Sequence, residues 1–114
     1  GFFDCGLWGC SPDGLVGESG LLEVKSVIAN THFATIRRKT PDPAYFWQLI
    51  GNLEGTGRDW IDFASACLEF PEGKRLAVFR GHREKHESDI QKLIERRAEF
   101  LRLVDEIEST IRNI

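Results

Sequence analysis

From Ile90 to Ile114 the apolar residues Ile90, Ile94, Ala98, Leu101, Val104, Ile107, Ile111 and Ile114 recur at intervals of three and four, the period of one helix face. No other part of the chain sustains such a run. Upstream, Gly, Pro, Asp and Ser break the sequence into short segments, so a long C-terminal helix must share one core with short strands and at most two shorter helices. Phe100 and Leu103 widen the stripe beyond a strict coiled-coil seam, which favours packing of this helix on a sheet. At 114 residues and 41% hydrophobic content the chain is one domain's worth of ordinary globular sequence, large enough to bury a core without covalent staples.

The upstream segments read in order. Leu7, Trp8 and Cys10 precede the turn-forming Ser11, Pro12, Asp13 and Gly14, and a second reversal at Gly17 to Gly20 leads into Leu21 to Ser26, a pattern expected of an antiparallel meander. His32 to Arg38 suits a short helix. Asp42 as N-cap with Pro43 behind it opens a second helix that runs through Tyr45, Gln48, Leu49 and Asn52 until Gly55 and Gly57. Strands are expected at Trp60 to Glu69 and Arg75 to Phe79 around the turn Pro71, Glu72, Gly73. Strands, one or two helices, strands and a long helix make an α/β or α+β architecture.

Charge and cysteine usage narrow the setting. Fifteen Lys and Arg against eighteen Asp and Glu give a net charge of −3, so no broad field attracts nucleic acid or an anionic membrane and a polyanion must be met by a local patch. Between Glu23 and Asp42 the only charged residues are Lys25, Arg37, Arg38 and Lys39, all basic. The last three fit phosphate contacts and a plain solvated face equally well. Three cysteines, Cys5, Cys10 and Cys67, cannot all pair within one chain, no stretch is long and apolar enough for a membrane span, and no signal peptide is legible. A reducing, cytoplasmic setting is the simplest expectation. The same cysteines with His82 and His86 lack the spacing of a zinc site.

The residues with the most chemical meaning are Asp13, in the stretch SPDGL, and Glu23 and Lys25, in LEVKS. On a strand, Glu23 and Lys25 point to one face and Val24 to the other. A neighbouring strand end carrying Asp13 brings a second carboxylate to the same place. Two carboxylates with a backbone carbonyl between them form a hard-oxygen site suited to Mg²⁺ or Mn²⁺. A lysine beside them can orient or help deprotonate a water and offset charge building on a phosphoryl oxygen.

A Pro-Asp pair, a spacer, and an apolar-Glu-x-Lys strand resemble the PD-(D/E)XK nuclease superfamily. SPDGL followed by GLLEVKS, with Tyr45 and Gln48 in AYFWQLIGN, is more narrowly similar to the phage lambda exonuclease, or YqaJ viral recombinase, family. The resemblance implies a restriction-endonuclease-like α/β core, a mixed central sheet flanked by helices with a long C-terminal helix. It implies a Mg²⁺- or Mn²⁺-dependent exonuclease that digests linear double-stranded DNA, 5′ to 3′, in phage-type recombination or repair. Asp13, Glu23 and the Val24 carbonyl then look like metal ligands, Lys25 like the catalytic lysine, and Gln48, with Tyr45, like a residue steadying the lysine, nucleophile or scissile strand. Ser11, Tyr45, Arg37, Arg38 and Lys39 are the candidate DNA contacts. Residues 1–114 are expected to be a single nuclease domain, the C-terminal part of a longer lambda-exonuclease-like protein, because family members carry further N-terminal helices. The family also implies DNA ends as partner, a single-strand annealing protein as a second one, a trimeric ring, and a bacterial or phage-infected cell. Two other readings stay open: an inactive DNA-binding or interaction module of this fold, and a structure-specific or restriction-type endonuclease.

Overall fold

The computed structural model describes residues 12–114 together with the backbone of residues 3–4 and 9–10. Two short segments, β1 (Phe3–Asp4) and β2 (Gly9–Cys10), pair antiparallel with each other. The main sheet holds β3 (Gly14–Val16), β4 (Gly20–Ser26), β5 (Trp60–Ala66) and β6 (Leu76–His82) in that spatial order. The single meander expected over residues 7 to 26 is therefore two separate pairings. Pro12 has no N–H to offer a ladder, and the bend at Asp13 divides β2 from β3. Leu7, Trp8 and Ser11 lie outside the described residues.

β3 and β4 form a tight hairpin with Gly14 opposite Leu22 and Val16 opposite Gly20, turned through Gly17 at φ +58°. β4 and β5 run parallel, Glu23 beside Phe63 and Lys25 beside Ser65, while β5 and β6 are antiparallel. A parallel pair needs a crossover. Here it consists of α1 (Ala29–Arg38), a 3₁₀ turn at Pro43–Tyr45, and α2 (Phe46–Thr56). The Asp42 side chain accepts from the Ala44 N–H at 2.9 Å and so caps that turn. α2 stops at Gly57, whose φ of +70° lets its N–H bond back to the Leu53 carbonyl.

Element bounds shift where local signals mislead. α1 begins three residues before His32 because Ile28, at its N-cap, makes no side-chain capping bond and so leaves no mark in the sequence. β5 ends at Ala66, before the exposed Leu68 and Glu69. β6 runs on past Phe79 to His82, since Arg80 pairs across the ladder with Asp62 through two bonds of 2.7 and 2.9 Å.

Helices cover one face of the sheet. Leu21 of β4, Ile61 of β5, Ile50 and Leu53 of α2, and Ile90 at the start of α3 (Glu87–Arg112) form the buried core, with Phe46, Leu49, Leu93 and Ile94 packed around it. On that face α1 is tied down by buried His32. The Lys74 carbonyl can only accept, so His32 Nε2 carries the proton and donates to it at 2.9 Å, and Nδ1 accepts from the Ser65 hydroxyl at 2.8 Å.

α3 departs from expectation. Its first turns join the core over the sheet through Ile90, but along its length it packs mainly on α2, held by a double Arg97–Glu54 ion pair with both bonds at 2.9 Å, and beyond that point its apolar stripe is open. Phe100 is 61% exposed, Ile107 52% and Ile111 64%. Length explains this: 26 residues rise about 39 Å, against about 16 Å for the 11 residues of α2.

The other face of the sheet is held by its own side chains. Trp60 lies across Gly20, and the Arg80 guanidinium stacks on the Trp60 ring at 3.7 Å. A methyl group at position 20 would sit 2.1 Å from a Trp60 ring carbon. Gly20→Ala must therefore displace Trp60 and its Arg80 partner, and overpacking of this kind costs about 1–3 kcal/mol. Thermal unfolding should show a clearly lowered midpoint. An unchanged midpoint would mean that the indole swings aside without penalty.

Candidate active site

Alternation along β4 separates the site residues from their neighbour. Glu23 points into the helix-covered face and is 3% exposed, whereas Val24 points the opposite way at 40%. Extending the β3–β4 register one step beyond Gly14–Leu22 places Asp13 opposite Glu23. Asp13 Oδ2 accepts the Val24 N–H at 2.7 Å, a backbone donor that β3 is too short to engage. Since a strand residue aims its N–H and C=O to the same side, the Val24 carbonyl also leaves β4 on the Asp13 side.

Glu23 is surrounded by donors. Lys25 Nζ lies 3.3 Å from its Oε1. Gln48 Nε2 donates to the same oxygen at 3.2 Å, and Asn52 Nδ2 donates to Oε2 at 3.3 Å. Gln48 and Asn52 are one turn apart on α2, so a single helix face supplies both amides. Lys25 also lies 5.2 Å from the centre of the Tyr45 ring, which stacks on Phe63 at 5.6 Å. The ammonium thus has a carboxylate on one side and an aromatic face nearby.

Burial pushes the Glu23 carboxyl above its usual range, and the negative charge of Asp13 pushes the same way, while the hydrogen bond and charge of Lys25 pull it back. Two carboxylates held together where one is shielded from water are a strained pair unless positive charge joins them. Among the described residues no three His, Cys, Asp or Glu side chains gather into a metal-binding group. The donors on offer are two carboxylates and a carbonyl, all hard oxygens, a set that fits Mg²⁺ or Mn²⁺ retaining several waters.

The residues singled out in the sequence divide into three groups. Asp13, Glu23, Val24, Lys25, Tyr45 and Gln48 are joined by the contacts above. Arg37, Arg38 and Lys39 are exposed at the C-terminal end of α1, where positive charge also suits the helix dipole, and no contact links them to Glu23. Ser11 lies outside the described residues. Asn52 was expected only as part of the second helix, yet it is buried and bonded to Glu23. Its i,i+4 spacing from Gln48 is the one sequence signal that pointed to a shared face. A separate cleft of about 590 Å³, lined by Phe46, Leu49, Phe63 and Phe79 among others, contains neither carboxylate.

Compared with solved structures, the chain is similar over 99% of its length to an alkaline exonuclease, LHK-Exo, from Laribacter hongkongensis, with a TM-score of 0.82 and 33% identity. The fold is that of a PD-(D/E)XK nuclease. LHK-Exo in complex with dAMP matches 90% of the chain at a TM-score of 0.71 and 34% identity. The chain spans 59% and 57% of the lengths of those two structures. No protein-family model and no curated protein matches the sequence. No helix among the described residues is long and apolar enough to cross a membrane.

Proposed function

We propose that this chain is a nuclease domain of the lambda-exonuclease, or YqaJ, type and that it hydrolyses linear double-stranded DNA with a divalent cation, 5′ to 3′, in recombination or repair of phage type. The observation that carries the reading is the meeting of Asp13 and Glu23 at the open end of the β3–β4 hairpin with Lys25 3.3 Å from Glu23. The similarity to an alkaline exonuclease at 33% identity supports it, and the dAMP complex of that neighbour supports a deoxynucleotide as product.

Asp13, Glu23 and the Val24 carbonyl would hold Mg²⁺ or Mn²⁺. Such a cation supplies Lewis acidity, drawing charge from a phosphoryl oxygen and making a water more acidic. The remaining work falls to the chain itself. Lys25 presents positive charge where the phosphoryl oxygens gain negative charge and can give a proton to the departing oxygen, while the attacking water's proton leaves to solvent, from which the amine is reprotonated. Gln48 keeps the Glu23 carboxylate turned toward the hairpin end, and Tyr45 restricts the sweep of Lys25. A water oxygen then bonds to phosphorus as the phosphorus–oxygen bond to the departing strand breaks. Arg37, Arg38, Lys39 and Ser11 would hold the DNA backbone, giving affinity that falls with salt.

Digestion of end-labelled linear duplex beside closed circular DNA, with Mg²⁺ or with chelator, tests the reading. Loss of linear DNA alone, dependent on the cation, is expected. Cutting of the closed circle would replace the exonuclease with an endonuclease of the same fold, and DNA binding without cleavage would replace it with an inactive module.

A further inference from the structure

We propose that Asn52 is a positioning residue of this site, fixing the orientation in which the Glu23 carboxylate meets a cation. The inference rests on the reading of Asp13 and Glu23 as cation ligands and adds a residue to which neither the alternation of β4 nor the family resemblance pointed. Glu23 reaches the site from β4 at the end of a side chain with three rotatable bonds. Its backbone position therefore leaves the plane of the carboxylate undetermined.

α2 determines that plane. Gln48 donates to Oε1 and Asn52, one helical turn further on, donates to Oε2. With one amide on each oxygen, the carboxylate cannot rotate about its last bond without breaking a contact. The two amides are not equivalent. Gln48 is exposed and shares Oε1 with Lys25, so both of its neighbours there lie within reach of solvent and substrate. Asn52 is 3% exposed and donates to Oε2. The backbone that carries it is well fixed: the Asn52 backbone carbonyl accepts from the Thr56 hydroxyl at 2.8 Å, and Leu53, the next residue, is in the core. The buried amide is thus the fixed grip and the exposed one the adjustable grip. Partners of this kind, which orient a ligand without touching the metal, typically change metal affinity 10–100-fold when removed.

A readout on the unmodified protein separates this from simple satisfaction of a buried carboxylate. Side-chain amide resonances of ¹⁵N-labelled wild type are followed as Mg²⁺ is added. The Val24 backbone N–H reports on Asp13, and the Asn52 NH₂ pair should shift with the same midpoint. Calorimetry with Mn²⁺ should then give about 10–100-fold weaker binding for Asn52→Leu, with recovery toward wild type in Asn52→Gln, which restores a donor. A static Asn52 resonance while Val24 shifts would overturn the inference, as would wild-type Mn²⁺ affinity in Asn52→Leu. If Asn52→Leu does not fold, the wild-type titration decides alone. Silence at Val24 and Asn52 together would remove the cation site itself, and this inference with it.

Discussion

Lys25→Ala is expected to lower cleavage of linear duplex DNA by about 10²–10⁴-fold, the range for losing a group that moves a proton in the transition state, while Mn²⁺ binding largely survives. The separation follows from geometry. Lys25 bonds Glu23 Oε1 at 3.3 Å, but Gln48 and Asn52 still hold both carboxylate oxygens when the ammonium is gone. Asp13 remains fixed through the Val24 N–H. One coupled effect must be kept apart from this. Lys25 pulls the Glu23 carboxyl down, so its loss lets burial push that carboxyl higher and lets protons compete harder with the cation. Calorimetry and cleavage assays are therefore compared at alkaline pH, where that competition is weakest. Undiminished turnover in the variant would remove Lys25 from the chemistry.

Glu23→Gln should abolish cation-dependent cleavage, and the metal-free variant should gain stability relative to wild type as pH rises toward neutral. The sign follows from the raised carboxyl. A carboxyl that holds its proton more tightly folded than unfolded stabilises the fold at low pH. That contribution is lost as pH rises from the unfolded value, about 4.3 for Glu, through the folded value. Glutamine never carries the charge but sets an NH₂ in place of one acceptor among Lys25, Gln48 and Asn52, so it is the difference from wild type that should move in the variant's favour between pH 4 and pH 7. Thermal melts in chelator at the two values measure this. A difference that stays constant, or moves in wild type's favour, between the two pH values would contradict the burial argument. Added Mg²⁺ should then favour wild type, since a ligand at a hundred times its Kd stabilises by about 2.7 kcal/mol, and should leave the variant unmoved.

What the sequence revealed depended on how local each feature is. The Asp13–Glu23–Lys25 arrangement was legible because it needs only turn residues at Pro12 to Gly14 and the two-residue period of a strand. By contrast, Asp42 and Pro43, read as the start of the second helix, instead open the 3₁₀ turn before it, and α2 begins three residues later at Phe46 with no side-chain cap to mark it. Likewise, the strand read over Arg75 to Phe79 stops short of Arg80, Gly81 and His82, which belong to β6 because they pair with Asp62, Ile61 and Trp60 of β5. Periodicity correctly grouped Val104, Ile107 and Ile111 on one helix face, but it could not say that α3 outruns everything it packs against. Asn52 was hidden for a similar reason. Its i,i+4 relation to Gln48 is visible in the sequence, whereas the strand that this face of α2 meets is a tertiary fact.

The mixed ladder also sets an order of events for the nascent chain. The hairpin that brings Asp13 to Glu23 closes a loop of only a few residues, a microsecond event. The parallel pairing of β4 with β5 waits for the whole crossover through α1 and α2 to be gathered in, and such distant contacts are slow to form. The carboxylates thus come together early, still hydrated, and Glu23 loses that water only when α2 docks with Gln48 and Asn52 already aligned on one face. The unfavourable charge is enclosed at the same step that delivers its donors, so the chain need not pass through a compact state in which Glu23 is buried bare.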